Sequence, residues 1–166
     1  ALAQLAQAEY PLLAQELLQL TGINIELNQC GMLMLNADDK RDALVWAEQY
    51  QQQINYLSQT QIRQLSPLLA TAFVDGIWLP QVANVRNPRL LQALVQAVSL
   101  YGVRYVGDAE VCAWQYTQGQ LLAVQTKQGQ RYEADSFVMT TGAWTGRVVQ
   151  GLGLNLPIKP MKGQML

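Results

Sequence analysis

The sequence has 166 residues, half of them apolar and only 14% charged, which suits one packed core and excludes a disordered tail. Eleven basic and twelve acidic side chains give a net charge of −1, and the basic ones are scattered, so no cationic face exists for nucleic acid. Histidine is absent, which rules out a His-dependent triad or a His-ligated zinc within this chain.

Leu2, Leu5, Leu12, Leu13, Leu17 and Leu20 recur at helical spacing and Thr21-Gly22 stops the run, with Pro11 expected to kink or divide it. "INIELNQCGMLML" predicts two short strands joined through Gly31 as a hairpin-like unit. Asp38 or Asp39 is expected to cap a helix reaching about Gln53, with Leu44, Val45 and Trp46 giving its apolar contacts. A capping reading of this acidic pair is simpler than a metal or acid-base site. "SQTQIRQLSPLL" predicts a capped helical turn ended by Pro67, and "AFVDGIWLP" a strand with a turn or bulge at Asp75-Gly76.

"VRNPRLLQALVQAVSLYGV" carries the clearest helical signal. Asn87 stands as N-cap, Pro88 at the first position, Gly102 at the end, and Leu90, Leu91, Leu94, Val95 and Val98 form the stripe expected to be buried. Strands are then expected in "VRYVG", "EVCAWQYT", "LLAVQTK" and "RYEAD", with turns at Gln118-Gly119 and Gln128-Gly129. "SFVMTTGAWTG" predicts a buried strand ending at Gly142, followed by a short helix around Gly146 to Gln150 and a last strand in "IKPMKGQML". This order suits a mixed α/β chain: part of a doubly wound domain with an inserted β-meander, beside part of a mixed-sheet domain.

Cys30 and Cys112 have no CxxC spacing and are expected as reduced, partly buried thiols of a cytoplasmic protein. No stretch reaches the roughly 20 apolar residues needed to span a bilayer. The N-terminal stretch has neither an initiator methionine nor a signal-peptide pattern, and the C-terminal stretch stops inside a strand-like run, so a piece of a longer polypeptide is expected.

"GLGLNL", at 151–156, holds a G-x-G but follows a helix and lacks the third glycine, so it reads as a helix-terminating turn, not a phosphate loop. Gly142 is better placed. At the C-terminal end of a strand, a glycine lets the backbone approach a flat ligand, although a tight packing turn with Trp144 as a core aromatic explains the same residues. Lys159 and Lys162, flanking Pro160, read as a solvated edge.

In combination the segments resemble a known family. "GAWTG" followed by "PIKPMKGQML", with "LPQVANVRNPRLLQALVQAV", "GVRYVGDAEVCAW" and "TGINIELNQCGMLML" ahead of them in that order, resembles the D-amino acid oxidase family of FAD-dependent amine oxidases. The closest likeness is to its glycine oxidase subgroup of the thiamine pathway. Asn87-Pro88 stands where many members have Asp-Pro, and Thr145 replaces the usual serine.

The resemblance implies a part of a Rossmann-like FAD domain with an inserted meander and a part of a substrate domain. Residues 1–82 would belong to the substrate domain, 83–156 to the FAD domain, and 157–166 to a strand returning to the former. It implies FAD contacts at Val111, Thr141, Gly142, Ala143 and Trp144, structural support from Lys162, Gly163 and Gln164, and no catalytic or metal-binding residue in this stretch. The reaction implied is oxidation of a small amino acid or amine to its imine, with dioxygen as acceptor. The family's pyrophosphate loop and its substrate-carboxylate arginine are not in the sequence, so this stretch alone is expected to hold no FAD, to be inactive, and to self-associate through exposed edges. Two alternatives stay open: a dehydrogenase of the same fold using another acceptor, and a non-catalytic binding subunit.

Overall fold

The computed structural model describes residues 2–35, 37–69 and 73–163. It divides into two compact units, Ala1–Tyr105 and Val106–Leu166. The chain is mixed α/β, and the described residues form two three-stranded sheets, both antiparallel.

The first unit opens on α1, Leu2–Thr21, which runs through Pro11 without division. Proline removes the hydrogen bond that the Gln7 carbonyl would accept. Beyond it, Leu13, Ala14 and Leu17 pack against α4, Asn87–Leu100, and tertiary packing of this kind outweighs the lost bond. The buried line on α4 is Ala93 and Ala97, with Leu90 beside them, and it meets Leu17 and Ile25. This corrects the expected stripe, since Leu91 is 63% exposed and Leu94 is also exposed. Two alanines four residues apart form a smooth strip on which another helix can lie closely, and the larger leucines sit to one side. The helix also begins one residue earlier than expected, with Arg86 rather than Asn87 at the N-cap position.

The sheet of this unit has the order β1-β3-β2, formed by Met32–Met34, Asp75–Leu79 and Asn55–Ser58. Central β3 pairs Leu33 with Trp78 on one side and Leu57 with Gly76 on the other. No hairpin forms through Gly31. Asn28 bridges to Asn84 and Met32–Met34 pair with β3, so both halves of that segment find distant partners. Asp75-Gly76 makes neither turn nor bulge, because both residues hold regular register. Gly76 is a packing position, where a Cβ would lie 3.1 Å from Leu33 Cδ1.

Helix α2, Ala37–Tyr50, includes Asp38 and Asp39 within its span rather than before it and ends short of Gln53. It buries Ala43 and Ala47, while Val45 and Trp46 are exposed. Ala43 meets fully buried Ile77 and Leu79 of β3. The short α3, Gln59–Leu65, starts at Ser58, whose amide and hydroxyl both donate to Gln61 Oε1 at 2.9 Å, and ends before Ser66-Pro67 as expected.

The second unit is the predicted meander: β4, Val111–Thr117; β5, Gln120–Thr126; and β6, Arg131–Glu133, in that order. Residues 103–107, 136–141 and 157–163 form no strand, contrary to expectation. Their composition favours strands, but strand formation needs a neighbour to pair with, and Val138 lies 88% exposed. A 3-10 turn, Gly142–Trp144, then leads into α5, Thr145–Val149. A second such turn, Gln150–Leu152, ends at Gly153, so "GLGLNL" closes a helix.

Candidate functional site

All five residues singled out as cofactor contacts fall in the second unit. Val111 opens β4, half-buried, in register with buried Thr126. The residue before it, Glu110, is tied to Lys127 twice. The Lys127 amide donates to the Glu110 carbonyl at 2.9 Å, and Lys127 Nζ lies 2.7 Å from Glu110 Oε2.

That ion pair holds the Glu110 carboxyl below its ordinary value. The hydrogen bond from Lys127 is the largest cause, with the Lys127 and Arg147 charges adding to it and desolvation opposing. A depressed carboxylate contributes stability above its unfolded pKa and loses it as pH falls through the folded value. Glu110→Gln is therefore expected to be slightly less stable than wild type at neutral pH, with the difference shrinking as pH falls below the ordinary glutamate value and vanishing only below the lowered folded one. Both partners are exposed, so added salt should also erase the difference. Urea unfolding of the pair across pH and salt measures this, and a difference that holds constant would overturn it.

The remaining four residues lie together. Thr141 precedes the 3-10 turn, and its carbonyl accepts from the Trp144 amide at 3.0 Å. Gly142 has φ +53, a left-handed value that most side chains resist, and a Cβ placed on it would meet nothing within 4 Å. The glycine is thus required by conformation and leaves an open backbone face. Ala143 and Thr141 are half-buried, while Trp144 is 69% exposed, which argues against its reading as a core aromatic. Gly146 serves another purpose: its missing Cβ would lie 3.1 Å from the Ile158 carbonyl oxygen, so the 156–158 segment can cross α5.

Trp114 joins the two parts. Its indole Nε1 donates to the Val148 carbonyl at 3.1 Å, tying β4, which carries Val111, to α5, which follows the turn. The sequence reading gave Trp114 no role beyond packing. Lys162 and Gly163 are exposed, and Gln164 lies outside the described residues.

These residues fit part of a flavin nucleotide. An open glycine backbone beside an exposed indole suits a flat ring system or a polyol chain. Nothing among them suits a pyrophosphate, since the one G-x-G stretch closes a helix instead of opening one.

Other features were not foreseen. Cys30 and Cys112 are free, as expected, but exposed instead of partly buried. A cleft of about 790 Å3 in the first unit is lined by Gln7, Tyr10, Gln29, Gln52, Gln81 and Asn84 among apolar neighbours. Its lining carries no charged side chain, so it offers no counter-charge to a zwitterion. Among the described residues, no group of three or more His, Cys, Asp or Glu could hold a metal, and no helix is long and apolar enough to cross a membrane.

Comparison with known proteins identifies the family. The family model described as DAO, FAD dependent oxidoreductase, matches residues 1–166. A glycine oxidase of Pseudomonas putida is 35% identical over 167 residues, a match covering all of this chain and 46% of that protein. A bifunctional protein ThiO/ThiG of Trichormus variabilis is 31% identical, covering 95% of this chain and 24% of the relative. The crystal structure of glycine oxidase from Geobacillus kaustophilus superposes with a TM-score of 0.80 at 26% identity, over 93% of this chain and 43% of its own. The chain thus spans less than half the length of these relatives.

Proposed function

The chain belongs to the DAO family of FAD-dependent oxidoreductases, and on that premise we propose that it is the middle of an amino acid oxidase of the glycine oxidase type. The observation that carries the proposal is the Gly142 turn: a left-handed glycine with an open face, beside an exposed indole, at the position where the family resemblance expects the cofactor. Identity of 35% to a glycine oxidase across the whole chain supports the substrate class.

In this reading bound FAD supplies the two-electron chemistry that oxidises a small amino acid to its imine, with dioxygen as the final acceptor. The chain's own residues supply position. The turn at 141–144 forms one wall of the cofactor site, and Val111 contributes backbone from the meander. Residues 1–82 serve the substrate side, 83–156 the cofactor side, and 157–166 return toward the former. The uncharged cleft in the first unit is a poor carboxylate site, so the group that neutralises the substrate carboxylate is assigned outside this chain. A cytoplasmic location belongs to the same reading, in keeping with two free thiols.

The test is expression of the full reading frame that contains this chain. A yellow protein releasing hydrogen peroxide from glycine, sarcosine or D-alanine in a coupled assay is the expected result. Dye reduction without peroxide would make it a dehydrogenase, and a colourless protein that takes up no added FAD would make it a binding subunit. The 166-residue chain by itself is expected to bind no FAD and to show no turnover.

A further inference from the structure

Two threonines flank the Gly142-Ala143-Trp144 turn, and their hydroxyls are coupled. Thr145 Oγ1 lies 2.7 Å from the Gly142 carbonyl oxygen, which has no proton to give, so the Thr145 hydroxyl donates there. Its only proton is then committed. Thr141 Oγ1 lies 2.9 Å from Thr145 Oγ1, and a hydrogen bond between them requires Thr141 as donor. The proton line therefore runs from Thr141 to Thr145 to the Gly142 carbonyl. Thr141 retains lone pairs alone for any further partner.

Resting on the function proposed above, we infer that Thr145 is a positioning residue of the cofactor-facing turn. It holds the left-handed Gly142 through that carbonyl, and it fixes Thr141 as a hydrogen-bond acceptor. The group that Thr141 recognises is then a donor of the bound cofactor, a hydroxyl or ring N–H, and not a carbonyl or phosphate oxygen. Nothing in residue type alone reveals this, because an isolated threonine both donates and accepts. The direction comes from the carbonyl at the end of the line.

The inference separates from a simple turn lock through variants of the full reading frame. Thr145→Val keeps the shape and loses the hydroxyl; Thr145→Ala carries the same expectation should the extra methyl crowd the turn. Either is expected to weaken FAD binding about fivefold to tenfold, the effect of one lost hydrogen bond, and to alter the absorption band of the bound flavin. Thr145→Ser restores the hydroxyl and is expected within about twofold of wild type. The deciding measurement is the double-variant cycle. If Thr145 acts in part through Thr141, Thr145→Val costs clearly less FAD affinity once Thr141 is already valine than it does in the wild-type background.

A loss that persists undiminished in the Thr141→Val background would overturn the inference, leaving a turn lock only. So would a Thr145→Val protein that binds FAD like wild type. A wild-type protein that takes up no FAD is a different failure: it sinks the functional reading, and this inference with it.

Discussion

Gly31→Ala is expected to destabilise the protein by about 3 kcal/mol, the sum of a left-handed backbone penalty and overpacking. Gly31 has φ +71, and a Cβ there would stand 2.0 Å from Trp78 Cζ2 and 2.2 Å from Cη2. The backbone cannot back away, because the Gly31 amide donates to the Val82 carbonyl at 2.8 Å. The Trp78 backbone is held as well, paired in the central strand with Leu33 on one side and Asn55 on the other, so relief would have to come from the ring turning. Urea unfolding measures the effect, and a change below about 0.5 kcal/mol would show that the contact relaxes at no cost. Trp78→Leu tests the cause. In that background Gly31→Ala should cost only the backbone penalty, about 1 kcal/mol, because the clash is gone.

This contact also shows where sequence reading stopped. Gly31 stood out as a chain reversal, and it does carry a positive φ. Its partner, forty-seven positions away in Trp78, could not be read from local pattern. The hairpin expected through Gly31 failed for the same reason: strand pairing is non-local, and Asn28 and Met32–Met34 find distant partners instead of each other. The meander at 111–133 succeeded because its strands are sequential and its turns short. On α4 the ends were nearly right, since Pro88 and Gly102 act locally. The buried line was wrong because size does not decide which face turns inward when a second helix needs a close approach at Ala93 and Ala97.

The candidate site was legible to the same depth. Gly142 and Trp144 stood out because a glycine at an apolar run's end and a nearby indole are unusual neighbours. In the sequence Thr145 stands only as a replacement for serine, since the direction of its proton depends on geometry that no spacing encodes. The role of Trp114 is not legible in the sequence, because an aromatic on a meander strand is ordinarily packing.

Trp114 carries the other large expected effect. Trp114→Ala should cost about 2 to 3 kcal/mol, below the range for a core tryptophan because Trp114 is only half-buried. Part of that cost is local to two of the indole's contacts: the hydrogen bond to the Val148 carbonyl and the close face at Gly151, where a Cβ would lie 3.0 Å from Trp114 Cδ1. Trp114→Phe isolates the hydrogen bond, with an expected cost of about 1 kcal/mol. The larger consequence is positional. Val111 and the Gly142 turn are brought into one unit through β4 and α5, and the indole is the side-chain bond between those elements. If both contribute to one cofactor site, loosening Trp114 lets them shift apart, and a misplacement on the order of 1 Å is enough to weaken binding. In the full reading frame, Trp114→Phe should therefore lower the melting temperature and the FAD affinity together. A variant that melts earlier yet holds FAD as tightly as wild type would separate Val111 from the turn, and the cofactor wall would then consist of residues 141–144 alone.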